Sequence, residues 1–574
     1  MLQPPLSLRR RAGSILVLTL FMISSGSVAA GPKAPHGTGG AVASAAPEAT
    51  RAGLEILADG GNAVDAAVAT ALALAVVHPQ AGNLGGGGFA VVRIEDRTAT
   101  LDFREVAPAA ATHDLYLGPD GEPVAERSLV GPLAAGVPGS PAGLYELHRR
   151  YGRLSWPKVV APASRLAADG FTVTERLERS LVNAAPLLSR FPETAAVWLP
   201  NGRPPEAGSA LRLPGLAATL RAYADRGPTA ITSGPVATAI EIASKRHGGL
   251  ITVADLEAYR PIWRTPVVFS AFGWKVASMP LPSSGGIILG QTVGLLERTE
   301  WPRTPRFGAE RAHLLAEIWR RAYADRFLLG DPTTARADAD DLLDRRWLDR
   351  RARELRSRRA TPSSRIEPWR PPPVDESAET THLSVVDGDG NAVSMTTTLN
   401  GSFGCGLLVP GVGFLLNNEM DDFAAVPGRP NQYGLVQGEA NAVSPGKRML
   451  SSMSPTIAWR GSETVVLGSP GGSTIPTATV QVLLNIVVDR DDLQTAVNRP
   501  RLHHQWMPDL LVVEPDTFAP ETVWELERRG HELKLRDHLG EVHAVRFSSD
   551  GLVEAAADPR GPGAAGVVRP APGS

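Results

Sequence analysis

ETTHLSVVDGDGNAVSMTTTLN, residues 379–400, is the stretch on which the reading of this chain turns. From Thr380 the text alternates as a strand (THLSVVD), turns at GDG, and alternates again through NAVSMTTTL. A Pro- and Arg-rich stretch, RSRRATPSSRIEPWRPPPVDESA (356–378), runs almost straight into it. Such a segment ending abruptly at a strand that begins with Thr is what a self-cleaving precursor needs. Cutting between Glu379 and Thr380 would leave Thr380 with a free α-amine beside its own hydroxyl. That amine has a pKa of about 7.7–8.0, so it accepts a proton near neutral pH. Thr with an N-terminal amine is a recognised nucleophile–base arrangement. A Thr-Thr pair is equally ordinary β-strand composition, and these residues alone leave both readings open.

The remaining composition excludes several classes. With 574 residues, 43% hydrophobic content and a formal net charge of −2, the chain reads as an ordinary globular protein with no nucleic-acid signature. The basic residues 345–359 are interleaved with Asp349 and Glu354, which predicts a solvated helix face. Cys405 is the only cysteine, so no disulfide forms within the chain and no multi-cysteine metal site exists. His503-His504 point different ways on any regular element, and no HxxxH or HExxH lies near. At the N-terminus, Arg9–Arg11, the apolar residues 15–23 and the small residues 27–30 form an export signal (1–30) cleaved after Ala30. An uncleaved anchor is the alternative, and the Arg run also permits twin-Arg export.

Helical periodicity covers residues 48–75 and 311–329. Strands are predicted at 89–94, 98–103, 383–386, 393–398 and 464–467, with a short apolar strand at 413–416 and a helix over 476–488. Gly/Pro-rich breaks (GNLGGGGF, GVPGSPAG, PLPSSGGI) separate them. The mixture predicts an α+β fold of helices layered on antiparallel sheet, not alternating βαβ units.

Four sites carry candidate chemistry. Ser469-Pro470-Gly471-Gly472 lies between a strand and a helix, where successive N–H groups form an anion nest. No Lys accompanies it and the spacing is not that of a P-loop, so an oxyanion suits it better than phosphate; a plain βα turn is the bland reading. Asn417–Phe423 (NNEMDDF) offers acceptors for an ammonium or is simply a polar loop. Ser451-Ser452 could hold a carboxylate or make a turn. Arg104 could grip a carboxylate with its fork or sit on the surface.

Taken in order, these segments resemble the γ-glutamyltranspeptidases, members of the N-terminal nucleophile hydrolases. The blocks are ILADGGNAVDAAVA (56–69), HPQAGNLGGGGF (78–89), LDFREVAP (101–108), GVPGSPAG (136–143), PLPSSGGI (280–287), AYADRFLLGDP (322–332), TTHLSVVDGDGNAVSMTTTLN (380–400), LLNNEMDDF (415–423), SSMSPT (451–456), GSPGGS (468–473) and RPRLHHQWMPD (499–509). The resemblance implies a four-layer αββα sandwich with both sheets antiparallel and Thr380 opening a central strand. It implies self-cleavage into a large subunit (31–379) and a small one (380–574) that together form one composite domain.

It also implies roles. Thr380 is the nucleophile, Thr398 its hydrogen-bonding partner, and Gly471 and Gly472 the oxyanion hole. Arg104, Ser451 and Ser452 hold a glutamyl α-carboxylate; Asn400, Glu419 and Asp422 hold its α-ammonium. Tyr433, in the loop PGRPNQYGLVQG (427–438), covers the pocket. The implied donor is glutathione or another γ-glutamyl compound, the acceptor water or the amine of an amino acid or dipeptide, and no cofactor is needed. Charge supports the substrate class separately, because a zwitterionic head needs one cationic and one anionic region. The rivals are a glutaryl acylase of the same fold, an exported binding protein on the same scaffold, and glutathione recognition without turnover.

Overall fold

The computed structural model describes residues 34–124, 126–367 and 380–568. The export signal (1–30), Glu379 and residues 368–378 of the Pro/Arg-rich stretch lie outside the described residues.

The hairpin forms as its alternation predicts. Thr380–Asp387 pairs antiparallel with Ala392–Thr398, and the register sets Thr380 directly opposite Thr398. Asp387 makes the turn, its carboxylate accepting from the N–H groups of Asp389 and Asn391 at 3.0 Å. The same carboxylate accepts from the N–H of Ala63, which ties the hairpin to the first turn of helix Ala63–Val77.

Two seven-stranded sheets lie face to face, every neighbouring pair antiparallel. One runs in the order Ala564–Val567, Gly40–Ser44, Thr380–Asp387, Ala392–Thr398, Gly87–Ile94, Arg97–Asp102, Ile262–Arg264. The other runs His36–Gly37, Val553–Ala556, His543–Phe547, Glu463–Gly468, Thr456–Arg460, Trp274–Ser278, Val267–Ala271. Helices Pro47–Ala58 and Ala63–Val77 cover the first sheet; Gly285–Leu296, Ala309–Asp325 and Ile475–Val487 cover the second. This is the expected αββα sandwich.

Three apolar layers follow from this stacking. Leu383, Val385 and Val393 pack outward with Leu72 and Val68 of the covering helix. Val386, Val91, Ile457, Val466 and Val545 fill the space between the sheets. Because both faces of Thr380–Asp387 are covered, all eight of its residues are buried. Its alternation therefore separates two cores. Thr380, His382 and Ser384 share the side toward the second sheet, where the Ser384 hydroxyl donates to the carbonyl of His543 at 3.0 Å. Ser394 on the neighbouring strand donates to the carbonyl of Leu467. These two bonds join the sheets beside Thr380.

Some expectations need correction. Residues 48–75 form two helices, because Gly60-Gly61 interrupts them and Asn62 starts the second with a capping box to Asp65. Residues 413–416 are not a strand; Gly413 has φ 89° and only an isolated bridge, Leu408 to Leu415, forms there. The helix predicted over 311–329 ends at Asp325 and tightens to a 3₁₀ turn, Arg326–Leu328. Helix Arg345–Glu354 is largely solvated, but Arg351 is buried against Asp325.

Candidate active site

Where Thr380 and Thr398 face each other at the strand ends, a small cavity of about 20 Å³ opens. Arg104, Thr380, Thr398, Asn400, Glu419, Asp422, Tyr433, Ser451, Ser452 and Gly472 line it, with Leu435, Met453 and Ile475 as its apolar wall. One cavity thus gathers residues from positions 104 to 475. Gly471 lies just outside, in an open groove on the other side of Thr380 that Pro470 and Thr474 also line.

The two threonines sit 3.5 Å apart through their hydroxyl oxygens, the outer limit of a hydrogen bond. Thr398 is held from several sides. Its hydroxyl accepts from the N–H of Asn400 at 2.7 Å, and its carbonyl accepts from the Asn83 amide at 2.8 Å. Gly86 packs so close that a Cβ there would lie 2.2 Å from that carbonyl, which is what the GGGG run serves at this point. Asn400 is a non-glycine residue in left-handed backbone, φ 74°. The Tyr433 hydroxyl lies 2.8 Å from its carbonyl and 2.5 Å from its side-chain oxygen, so the 427–438 loop closes over the cavity.

Gly471 (φ 127°) and Gly472 (φ 53°) form the bend between strand Glu463–Gly468 and helix Ile475–Val487. A side chain is strained at either of these angles. The bend brings two adjacent amides to the helix start, one bordering each cavity.

Charge concentrates at the far end of the enclosed cavity. The Arg104 guanidinium is paired with Glu419 and, at 2.5 Å, with Asp422. Burial opposes its charge, but Glu419, Asp422 and Glu105 together hold its pKa above the ordinary arginine value. Burial likewise pushes Glu419 well above the carboxylate range and Asp422 upward, against the pull of Arg104. The cationic and anionic regions expected from the sequence are therefore in direct contact. Ser452 Oγ and one Glu419 oxygen are buried with no protein partner, and both residues line this cavity. Ser451 Oγ accepts from the N–H of Met453.

Several neighbours escaped the sequence reading. Glu105 is fully buried, 4.0 Å from Arg104, with neither carboxylate oxygen bonded; burial raises its pKa to about 8. It follows Arg104, past the end of the predicted strand 98–103, and nothing in the sequence there singled it out. Arg326 is a second buried cation near Asp422, lowered by burial to about 10 and bonded to Ser284 and Gln437. Asn417 and Asn418 read as possible ammonium acceptors, but their side chains bind backbone. Asn417 donates to the carbonyls of Gly85 and Gly136, and Asn418 donates to that of Leu129. Ser283 and Ser284 of PLPSSGGI donate to the carbonyls of Met453 and Ser451 and position that turn.

His503 bonds Thr477 and Gln505, and His504 bonds Asp509. Cys405 is buried in apolar surroundings, its thiol pushed up to about 12. No group of three or more His, Cys, Asp or Glu among the described residues is arranged to hold a metal.

With this geometry in view, comparisons place the chain. The gamma-glutamyltranspeptidase family model matches residues 49–568. The glutathione hydrolase proenzyme of Escherichia coli is 44% identical over 91% of this chain and 90% of its own length; that of Pseudomonas aeruginosa is 42% identical over 93% and 95%. The acylase ACY 1 proenzyme of Pseudomonas sp. (strain V22) is 35% identical over 92% and 93%. Among solved structures, a cephalosporin acylase from Bacillus halodurans superposes with a TM-score of 0.82 at 26% identity, covering 95% of this chain and 99% of that one. The Helicobacter pylori gamma-glutamyltranspeptidase gives 0.55 at 37% identity, covering 56% and 93%. The second score is set by coverage, since that solved chain spans only 56% of this one, so superposition does not rank the two activities. A shared fold carries no substrate information; sequence identity favours the glutathione hydrolases. By the family match and by these identities, the chain belongs to the gamma-glutamyltranspeptidase family.

Proposed function

We propose that this protein is a self-cleaving γ-glutamyltransferase with glutathione hydrolase activity, and that Thr380 is its nucleophile. The observation that carries the reading is the cavity itself. An arginine fork, two carboxylates, unpartnered polar atoms and a threonine hydroxyl all line one small space. A γ-glutamyl group has a zwitterion at one end and the reactive carbonyl at the other. Its α-carboxylate takes Arg104, Ser451 and Ser452; its α-ammonium takes Glu419, Asp422 and Asn400. Burial makes each of these pairings matter, because a substrate lacking one head group leaves a site charge unmatched.

Maturation comes first. The Thr380 hydroxyl attacks the Glu379 carbonyl, the acyl group moves from N to O, and water hydrolyses the ester to free the Thr380 amine. In turnover that amine takes the hydroxyl proton as Oγ attacks the γ-carbonyl. The Gly471 and Gly472 amides serve the oxyanion, a contribution of about 2.7–4 kcal/mol for one such donor, and Thr398 holds Oγ in place. The C–N bond then breaks, the leaving amine takes the proton, and a glutamyl ester on Thr380 remains. Water or an incoming amine resolves it.

Cutting at residue 379 gives parts 31–379 and 380–574. Strand Thr380–Asp387 of the small part pairs with Gly40–Ser44 of the large part, and Ala392–Thr398 pairs with Gly87–Ile94. These ladders support a product that stays together as one domain. The basic and apolar N-terminal residues support export, and no helix among the described residues is long and apolar enough to cross a membrane.

The glutaryl acylase reading retains one argument, the superposition on the cephalosporin acylase. A glutaryl chain has no α-ammonium and gives Glu419 and Asp422 nothing to pair with. The test is N-terminal sequencing of the purified protein, then release of p-nitroaniline from γ-glutamyl and glutaryl anilides. We expect a fragment beginning TTHLSVVD and faster release from the γ-glutamyl compound. Faster release from the glutaryl anilide would overturn the substrate class, and a single uncut active chain would overturn the nucleophile.

A further inference from the structure

Ahead of Thr380, residues 355–366 run over the surface without helix or strand until the short turn Ser363–Arg365. Ala360, Thr361, Ser363 and Ile366 are nevertheless buried, and the segment is held from outside itself. The N–H of Ala360 donates to the carbonyl of Arg529 at 2.7 Å, that of Thr361 to Glu317 at 2.8 Å, and that of Ser363 to Asp509 at 2.8 Å. The Ser363 carbonyl accepts from the Trp506 indole at 3.0 Å. The Arg356 carbonyl accepts from His313 Nε2 at 2.5 Å.

That last bond fixes the tautomers of two buried imidazoles. His313 Nε2 faces a carbonyl, so it carries the proton and His313 Nδ1 accepts. His531 Nε2 lies 2.7 Å from that Nδ1 and donates to it, which leaves His531 Nδ1 to accept an Arg320 N–H at 3.3 Å. The bonds form a one-way chain from Arg320 through His531 and His313 to the Arg356 carbonyl, with one proton on each ring. A second proton has no place in it. On His531 it would face the Arg320 guanidinium, and on His313 it would face the His531 N–H.

The charged groups around the pair are already engaged. On helix Ala309–Asp325, Glu317 accepts from Arg320 at 2.9 Å, from Arg321 at 3.0 Å and from the Thr361 hydroxyl at 2.6 Å. Glu354, which ends helix Arg345–Glu354, lies 3.6 Å from Arg321. Asp509 accepts from Arg320 at 3.0 Å and from His504 Nε2 at 3.2 Å, while His504 Nδ1 accepts from the Trp506 N–H. Beyond helix Pro520–Arg528, Arg529 bonds Glu525 and the Ser357 carbonyl. Burial, with Arg320 beside it, lowers His531 to about 2 and His504 to about 3. Burial also lowers His313.

We propose that His313 and His531 form an acid-released clasp: neutral, they hold residues 355–366 to the body of the protein, and a proton on either imidazole breaks the chain and frees the segment. None of these residues lines the cavity at Thr380, so the clasp is independent of the nucleophile reading. Once the segment lifts, the rings regain water and an ordinary pKa of about 6.5. The clasped form holds both pKa values lower and therefore binds fewer protons than the open one. The clasp is complete above about pH 6.5 and weakens as pH falls below it, by up to about tenfold per pH unit for each histidine. Glu317 and Asp509 are held below the usual carboxylate range by their arginine and hydrogen-bond partners, against burial. Their own loosening begins only below about pH 4.3, so the two causes fall in different windows.

The test is amide hydrogen exchange of the full purified protein, stepped from about pH 7.5 to about pH 4 and corrected for the intrinsic rate at each pH. Mass spectrometry of peptides covering 355–366 reads the amides of Ala360, Thr361 and Ser363. We expect their protection to fall by about tenfold or more between about pH 7.5 and about pH 5.5. The Thr380–Asp387 amides should still exchange far more slowly than the segment throughout that range. His531→Gln keeps a donor and an acceptor but cannot titrate, so it should shrink the step by about tenfold; His313→Gln should shrink it too. Protection that holds down to about pH 5.5, or a step that begins only in the carboxylate window, would overturn the proposal on the parent protein alone. So would a step of unchanged size in both variants. Exchange of the Thr380–Asp387 amides at the segment's own rate would mean general unfolding, and would overturn it as well.

Discussion

On one side of Thr380, the Arg104 side chain is 1% exposed and paired with two carboxylates. On the other, in the groove that Gly471 borders, the Arg179 side chain is 70% exposed and 3.6 Å from the still more exposed Glu175. The same residue type serves opposite purposes. A buried guanidinium has already lost its water, so replacing its partners with a ligand of the wrong charge costs several kcal/mol. An exposed one keeps its water and contributes about 1 kcal/mol or less. Buried charges of this kind discriminate sharply between ligands of different charge, and exposed ones only weakly.

The most severe way to break the comparison is to remove what the two sides share. Thr380→Ala should remain a single uncut chain and lose activity toward every donor and acceptor, by about 10⁴-fold or more. Denaturing electrophoresis and anilide release read the two outcomes. Normal cleavage in this variant would refute the assignment. Arg104→Gln comes next and should act on one side alone. Donor kcat/KM should fall by about 10²–10³-fold, as for truncating one partner of a buried charged pair, while Arg179→Gln on the exposed side should change it by about fivefold or less. The variant should also lose about 3–5 kcal/mol of stability, because Glu419, Asp422 and Glu105 then face one another with Arg326, near Asp422, as the remaining cation. That loss should shrink toward pH 5, where those carboxyls take up protons. Melting curves at pH 5 and pH 8 with equal losses would contradict the electrostatic account.

Glu105 gives a smaller and subtler effect. Its pKa is raised to about 8 by burial, above the ordinary glutamate value, so between the two the folded protein binds more protons than the unfolded chain. Stability from this group is complete below about pH 4.3 and is lost as pH rises through about 8, at up to about 1.4 kcal/mol per pH unit. Glu105→Gln keeps the shape and removes the titration. The variant's melting temperature should change less with pH across this window, overtaking the parent near pH 8. Parallel curves would show that Glu105 stays ionised in the fold.

Glu105 also marks where the sequence stops being legible. The Thr380 hairpin could be read because alternation, turn and strand lie within 22 residues, 379–400, and local chemistry sufficed. The start of helix Ala63–Val77 carried its signals as well, in Gly60-Gly61-Asn62, though the residues on either side had merged into one periodic region. The glycine blocks were visible only as breaks. Their purpose depends on side chains about 300 positions away: Asn417 clasps Gly85 and Gly136, and Thr398 abuts Gly86. Glu105 and Arg326 have ordinary neighbours in sequence and become distinctive only through burial and through what the topology sets opposite them. Resemblance placed Arg104, Glu419 and Asp422 in one site, but their direct contact needed coordinates.

The mildest change sharpens the boundary between the two sides. Tyr433→Phe removes one hydroxyl, which lies 2.8 Å from the Asn400 carbonyl and 2.5 Å from its side-chain oxygen. Asn400 in turn donates its N–H to Thr398 Oγ, so the loop reaches the reacting end of the pocket through a single residue. The ring remains and the apolar wall with it; only a neutral hydrogen bond is lost, at about 0.5–1.5 kcal/mol. Donor KM should therefore rise about two- to tenfold, with kcat falling less, because Asn400 keeps its bond to the carbonyl of Asn418. If kcat falls as far as donor KM rises, the loop acts through Asn400 on Thr398 and the reacting hydroxyl, not on the head group alone.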